Sequence, residues 1–550
     1  MSYASALPPS SVEAWEHQEG KYISSALAGW THRQRFAFLM ILGLITAIEI
    51  SNRLSVNVLL PDLQGNVAAD SDQVSWVVVL YNLGFLCSLA ISTWMTRVIG
   101  ARRHLLTCIG LYSAGAFGCF LSAHSLELLL ASRLVMGFGG GAFLVRTVIL
   151  SRLMFPGPER TTAVTWLYVL LSSFQFVYPM AMGWIADNSH WNYAFLLDFP
   201  FLAIGAFLIW KYVPGGRLFR RTWDGTVDVR GAALLLVSLV CLQAATSRGE
   251  RDLWFETPWI TAALAVSGIC FLGFLWWDSR PQNLSPVLHL RIIWRQRSLR
   301  ISFAVITIVG AILGAALYVV PQYLRYVQDY SALQTGGFIS LYTLGLGVGL
   351  VIALRVLNPR MGGAWTTALG LMLSFATCLS IVYIWTPTTP TAVLGPAIFL
   401  QGLSLGPVLV GASNIATGDA ALVDINDVST TYFFVRQIGN TFGVTAATVL
   451  FDHRMTFHSS RLLDVANRLD PRVTTTLAEY SSLIHRNGGG TSSPALGSLQ
   501  IFQAGVITQS RLLSYIDIYF FLAVLAATAL AFLAVTRMKR IEGHALFHLW

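Results

Sequence analysis

The 550-residue chain is 55% hydrophobic and 11% charged, and its 36 Lys and Arg exceed its 27 Asp and Glu to give a net charge of +9. Soluble domains carry about 25% charged residues, so this composition excludes a soluble globular protein. The placement of the basic residues, set out below, accounts for the positive charge without nucleic acid.

Fourteen apolar stretches follow one another at 36–60, 75–95, 105–122, 126–150, 161–186, 191–210, 231–247, 258–277, 299–322, 334–354, 365–385, 392–416, 428–451 and 513–535. Each is long enough to cross a bilayer as a helix. In lipid, segments of this length satisfy their backbone hydrogen bonds only as helices, because barrel strands are about half as long and alternate in polarity. The expected fold is therefore an all-α integral membrane protein with 14 transmembrane helices. Residues 1–35 are polar and lack a signal-peptide pattern, so they are expected to remain as a tail. The cysteines Cys87, Cys108, Cys119, Cys241, Cys270 and Cys378 lie singly within the stretches, which gives neither a disulfide framework nor a zinc spacing.

With both termini cytoplasmic, the short outer loops hold only Arg248, Arg251 and Arg325, whereas the cytoplasmic segments hold 23 Lys and Arg. Short loops rich in Lys and Arg stay inside, so this orientation is expected and the +9 charge is topological. The stretches divide as 6+2+6. The expected domains are a cytoplasmic tail at 1–35, a six-helix bundle at 36–211, a linker at 212–230, two extra helices at 231–277 and a linker at 278–298. A second bundle at 299–536 and a tail at 537–550 complete the chain. The polar segment 452–512, containing Asn487-Gly488-Gly489-Gly490, lies outside the membrane as a hairpin or flap with helical arms. Two bundles of inverted three-helix repeats would hold a substrate near the midplane between them.

Several motifs carry a resemblance. Asn57-Val58-Leu59-Leu60-Pro61, Ala131-Ser132-Arg133-Leu134-Val135-Met136-Gly137 and Asp187 to Trp191 leading to Asp198-Phe199-Pro200 occur in order. Ser247 to Glu250 with Trp254, Pro286-Val287 with Leu290, Pro321-Gln322 with Leu324, and Phe434-Val435-Arg436-Gln437-Ile438-Gly439 follow. Over residues 36–536 the chain resembles the fourteen-spanner drug:proton antiporter family (EmrB/QacA type) of the major facilitator superfamily. The resemblance implies the major facilitator fold and proton-coupled export of lipophilic or amphipathic compounds from the cell inner membrane. It also implies a coupling role for Arg133, and for 452–512 docking to a periplasmic membrane-fusion adaptor and an outer-membrane channel. Three departures stand out. The gating loop after the second helix, G-x-L-A-D-R-x-G-R in the family, reads Thr93 to Arg103 and keeps Gly100, Arg102 and Arg103 but not the acid. The fifth-helix motif G-P-x-x-G-G reads Tyr178-Pro179-Met180-Ala181-Met182-Gly183, and the acid usual in the first helix is Asn52.

Charges inside the membrane cost about 2.5–3.5 kcal/mol each by insertion scales, so they face the protein interior, water or a partner. Glu49 and Arg53, spaced i, i+4, share a helix face and form either a structural ion pair or a proton carrier. Asp198, just before Pro200, is a second proton site or a partner for an interior arginine, and Arg133 is a coupling residue or a hydrogen-bond hub. Arg146, Gln175, Tyr178 and Arg436 are the expected substrate-cavity residues, although Arg146 also suits snorkelling to the interface. The small residues of Gly137 to Ala142, mid-membrane with no preceding strand, suit close helix approach rather than phosphate binding.

No ATP-binding, metal-ligand or catalytic-triad pattern appears, so no cofactor, metal or enzymatic activity is expected. The expected partners are a small lipophilic or amphipathic substrate, protons and the lipid bilayer. Interior arginines outnumber acids, which offers export of an acidic metabolite, siderophore or fatty acid as an alternative. The eroded motifs offer a second one, a non-transporting receptor or scaffold on the same fold.

Overall fold

The structure, a computed structural model, describes residues 31–67, 71–155, 157–212, 228–249, 252, 254–280, 288, 296–418, 425–465, 471–486 and 494–544. Most of both linkers, the Asn487 to Gly490 run, residues 1–30 and residues 545–550 lie outside these residues. Among those described there are helices and no strands.

All fourteen apolar stretches lie on helices. In chain order these are α1 (His32–Val67), α2 (Ser71–Ile99), α3 (Ala101–Leu121), α4 (Leu126–Gly140), α5 (Phe143–Met154) and α6 (Gly157–Asn188). A 3₁₀ segment, Trp191–Asp198, leads into α7 (Phe199–Tyr212), followed by α8 (Val229–Arg248) and α9 (Pro258–Asp278). Then come α10 (Arg297–Tyr326), α11 (Ala332–Ile352), α12 (Asn358–Ile384), α13 (Thr391–Gly418), α14 (Ile425–Val465), α15 (Pro471–Arg486) and α16 (Pro494–His544). The stretch at 126–150 is broken at Gly141-Ala142, within the run of small residues, and continues as α5.

By length and composition, 12 continuous helical stretches among the described residues suffice to cross a membrane. Two features separate this number from fourteen. Ala332–Ile384 is continuous on this measure, although Gly362 at φ 75° interrupts it and α11 and α12 each pack along α13. Residues 428–451 on α14 are made less apolar by Arg436, Gln437, Asn440 and several threonines.

The helices up to α7 pack mainly on one another, as do α10 to α14 with α16, while α8 and α9 pair together with α8 against α2. The two groups meet along α6 and α11, and along α2 and α14. The first contact is intimate because glycines line it: a Cβ on Gly336 would run into the Pro179 carbonyl, and one on Gly183 into Ala332. At one end of this seam Arg325 Nη2 meets Asp62 Oδ1 at 2.6 Å, Tyr326 donates to Gln64 Oε1 at 2.7 Å, and the Leu333 N–H donates to Asp187 Oδ2 at 2.8 Å. Towards the other end Arg355 Nε donates to Thr165 Oγ1 at 3.1 Å.

α14 and α16 have 41 and 51 residues, about 60 and 75 Å at 1.5 Å per residue, well beyond the ~30 Å hydrocarbon core. The segment expected as a hairpin is thus largely helical, with α15 packed on α16. Asp517 Oδ2 ties α16 to α14, taking Arg454 Nε at 2.5 Å and His458 Nε2 at 2.6 Å.

Candidate functional site

α1 is the longest helix of its group to be buried along much of its length, and it carries polar side chains to two adjoining networks. In the first, Glu49 is fully buried and Arg53, one turn on, brings Nε to 3.3 Å from its Oε1. The Tyr81 hydroxyl of α2 donates to the same oxygen at 2.8 Å. Glu49 Oε2 is buried with no hydrogen-bond partner, which marks it as the atom able to carry a proton without displacing a donor. Gly140 of α4 packs here, and a Cβ on it would lie 2.9 Å from both Glu49 Cγ and the Tyr81 hydroxyl.

Arg53 also reaches across the seam. Its Nη1 donates to Gln437 Oε1 of α14 at 2.8 Å, and Gln437 Nε2 donates to Asn82 Oδ1 at 3.3 Å. The guanidinium lies over the Phe85 ring, 4.5 Å from its centroid.

The second network centres on Asp198, fully buried at the end of the 3₁₀ segment. Tyr178 donates to Oδ1, while Asn52 Nδ2 and the Tyr112 hydroxyl donate to Oδ2 at 2.9 and 3.4 Å. Arg133 does not pair with Asp198 directly. Its Nη1 donates to Asn52 Oδ1 at 3.2 Å and its Nε to the Val77 carbonyl at 3.3 Å. Tyr81 touches both networks, because its ring also stacks under the Arg133 guanidinium at 4.3 Å.

Between the helix groups lies a cavity of about 140 Å³. Arg53, Asn57, Asn82, Gln175, Arg436 and Gln437 give it polar atoms, and Leu313, Leu317, Leu346, Leu350 and Leu409 give it apolar walls. Drug-sized sites measure about 300–1,000 Å³, so holding such a ligand requires the groups to separate.

Of the four residues expected to line the cavity, Gln175 and Arg436 do. Tyr178 instead belongs to the Asp198 network, and Arg146 lies buried with Nη2 donating to the Ser92 carbonyl at 2.6 Å. Both sit on helix faces turned away from the cavity, and Arg146 is 7% exposed, so it does not snorkel. In the loop after α2, Gly100 takes φ 87°, which favours glycine, and starts α3. Arg102 stacks on Trp210 at 5.7 Å and Arg103 is exposed. Sequence reasoning missed Tyr112, and Asn82 and Asn440 of the cavity lining, as well as the Arg53–Gln437 and Asp62–Arg325 links. A polar side chain deep in an apolar stretch was the available signal for the first three. No group of three His, Cys, Asp or Glu among the described residues is placed to hold a metal.

This geometry agrees with the comparisons to known proteins. The profile of the Major Facilitator Superfamily matches residues 39–444. The multidrug export protein EmrB of Escherichia coli (strain K12) is 23% identical over 495 residues, covering 88% of this chain and 93% of that protein. The fatty acid resistance protein FarB of Neisseria gonorrhoeae is 22% identical over 456 residues, covering 81% and 86%. Among solved structures, a bacterial homologue of the human lysosomal transporter Spinster, inward-facing and unoccupied, superposes with a TM-score of 0.56 at 14% identity. That superposition covers 92% of this chain and 98% of the homologue. The profile match spans well over half of the sequence, and the chain belongs to the major facilitator superfamily.

Proposed function

We propose that this transporter exports lipophilic or amphipathic compounds across the cell inner membrane by alternating access, driven by inward movement of protons. The observation that carries the reading is the Arg53 side chain, which lines the central cavity, binds Gln437 on the opposite group and is paired with the buried Glu49. A proton arriving on Glu49 cancels the charge that holds Arg53, so protonation and contact between the groups are linked through one guanidinium. Asp198, held by Tyr178, Tyr112 and Asn52, is the second proton site, with Arg133 positioning Asn52.

The arrangement proposed is 14 helices as 6+2+6 with both termini cytoplasmic, supported by the excess of Lys and Arg in the cytoplasmic loops. α8 and α9 stand outside the two bundles, and Gly100, Arg102 and Arg103 form the gating loop. The lengths of α14 and α16 support a projection outside the membrane through 452–512, suited to a periplasmic membrane-fusion adaptor and through it an outer-membrane channel.

The test is collapse of a pH gradient in inverted vesicles on addition of lipophilic cations and anions, with wild type beside Glu49→Gln and Asp198→Asn. Wild-type vesicles are expected to lose the gradient with at least one charge class, and the variants to lose that response. A wild type silent to every compound, beside an active control exporter, removes the antiport reading.

A further inference from the structure

The two seams between the helix groups are built differently. Along α6 and α11 the backbones touch at several levels: besides Gly183 and Gly336, a Cβ on Gly347 would strike Ser172 Oγ. The glycines of α2 and α14 face their own groups instead. A Cβ on Gly84 would run into the Leu134 carbonyl of α4, and Cβ atoms on Gly439 and Gly443 into the Thr307 and Ala311 carbonyls of α10. Glycine contacts of this kind fix helices closely together, so α2 is held to the first group, α14 to the second, and their mutual face is the looser one. Gln437 Nε2 joins them to Asn82 Oδ1 at 3.3 Å, a neutral contact at the long end of hydrogen bonding.

Beside this contact lies a crevice of about 20 Å³ roofed by α8. Leu86 of α2, Leu242 and Gln243 of α8, and Ile438, Thr441 and Phe442 of α14 line it. Leu86 follows Asn82 by one turn and Thr441 follows Gln437 by one turn, and Asn82 and Gln437 themselves line the central cavity. One layer of side chains therefore separates crevice from cavity. α8 packs on α2 and faces α14 across the crevice. Phe442, 43% exposed, stands at the rim, so the crevice opens towards lipid. Inside it Thr441 is 7% exposed and its Oγ1 has no hydrogen-bond partner. Thr445 and Thr246 beside it donate to carbonyls of their own helices, at 3.2 and 2.8 Å. A buried hydroxyl left over in an apolar crevice favours an occupant that can satisfy it.

We infer that neutral lipophilic compounds with a hydrogen-bonding group enter this crevice from the bilayer and pass between α2 and α14 to the central cavity, with α8 as the outer lip of the opening. This rests on the export reading above. At about 20 Å³ the crevice admits a single water, so a compound enters only as α14 moves away from α2. Gln437 then leaves Asn82, and crevice and cavity become one space. α8 stays with α2 and holds one side of the opening fixed, which gives the helix pair outside the two bundles a part in selecting what enters.

The experiment photolabels the full chain in phosphatidylcholine nanodiscs with a neutral, bilayer-confined aryl diazirine and reads the labelled residues by mass spectrometry. N-phenyl-1-naphthylamine, neutral at the pH used, is the competitor and, in inverted vesicles, the cargo. Leu242, Ile438 and Thr441 are expected to label, and excess competitor to suppress that labelling. Ile269 and Leu272 of α9, 71% and 66% exposed, are expected to label alike with and without it. Thr441→Val removes the hydroxyl alone and should raise the competitor concentration needed about fivefold, the effect of one hydrogen bond. Leu242→Trp fills the crevice and should abolish both the suppressible labelling and export, whereas Leu272→Trp on α9 should change neither. Labelling that the competitor leaves unchanged means that a lipid chain occupies the crevice, and overturns the inference, as does no labelling there at all. A Leu242→Trp protein that exports at the wild-type rate also overturns it, with the export reading intact. Wild-type vesicles that export neither this compound nor any of those in the gradient test remove the export reading, and the inference with it.

Discussion

Asn52 donates to Asp198 Oδ2 at 2.9 Å, so the carboxylate that position 52 of the first helix lacks is supplied from the end of the 3₁₀ segment before α7. Arg133 meets Asn52 from the other side at 3.2 Å, and the amide separates guanidinium from carboxylate. Exchanging the two side chains would bring the acid next to the arginine without changing the number of charges.

Asp198→Asn is therefore expected to slow substrate-induced gradient collapse at least tenfold in inverted vesicles. The double variant Asn52→Asp/Asp198→Asn is expected to recover to within a few-fold of wild type. A double variant as inactive as Asp198→Asn alone rejects the idea that one carboxylate anywhere in this network suffices, and makes Tyr178 and Tyr112 specific to Asp198 at its own position.

The Asp62–Arg325 ion pair joins α1 to α10 at 2.6 Å, with the side chains 28% and 14% exposed. Partly exposed pairs contribute about 0.2–1 kcal/mol, enough to shift a two-state equilibrium about 1.4-fold to fivefold. Asp62→Asn is expected to raise labelling of a single cysteine at position 57 by a membrane-impermeant maleimide by that factor, in a background lacking the native cysteines. The charge-reversed pair Asp62→Arg/Arg325→Asp should return labelling toward the starting level. Labelling unchanged in both would mean that Gln64, Tyr326 and Asp187 hold this end without the ion pair.

Arg146 gives a different kind of prediction, one of stability. Its Nη2 donates to the Ser92 carbonyl at 2.6 Å and ties α5 to α2. Hydrogen bonds to charged groups contribute about 1.5–3 kcal/mol, and removing the donor leaves a buried carbonyl. Arg146→Leu is expected to lower the detergent-solubilised melting temperature by several degrees, whereas Arg103→Leu, on an exposed side chain, should leave it within one degree. Equal melting temperatures for the two variants would reduce Arg146 to a spectator.

The positions of the helices were legible because length and hydropathy alone decide what a bilayer accepts, and all fourteen stretches lie on helices. The Glu49–Arg53 pair was legible because i, i+4 neighbours meet on any helix. Rotation about the helix axis was not. In a stretch apolar on every side, nothing distinguishes the face turned to the cavity from the faces turned to other helices or to lipid. Tyr178 and Arg146 were accordingly placed in the right stretches but on the wrong side of the wall. Contacts between distant elements, such as Arg53 with Gln437 384 residues away, depend on how the groups pack, which the charge and hydropathy pattern does not encode.

The seam between α6 and α11 offers the sharpest structural test. A Cβ on Gly336 would fall inside contact distance of the Pro179 carbonyl, which belongs to backbone and cannot rotate away. Overpacking a close helix contact costs about 1–3 kcal/mol, and here the cost falls on the state in which this end of the seam is shut. Gly336→Ala is therefore expected to lower the melting temperature and to increase maleimide labelling at position 57. Gly337→Ala, next in sequence with open space at its Cβ, should do neither. A Gly336→Ala protein that melts and labels as wild type does would show that the helices separate at this point at no cost, and the closed seam would then not be what shuts the cavity at the Asp62 end.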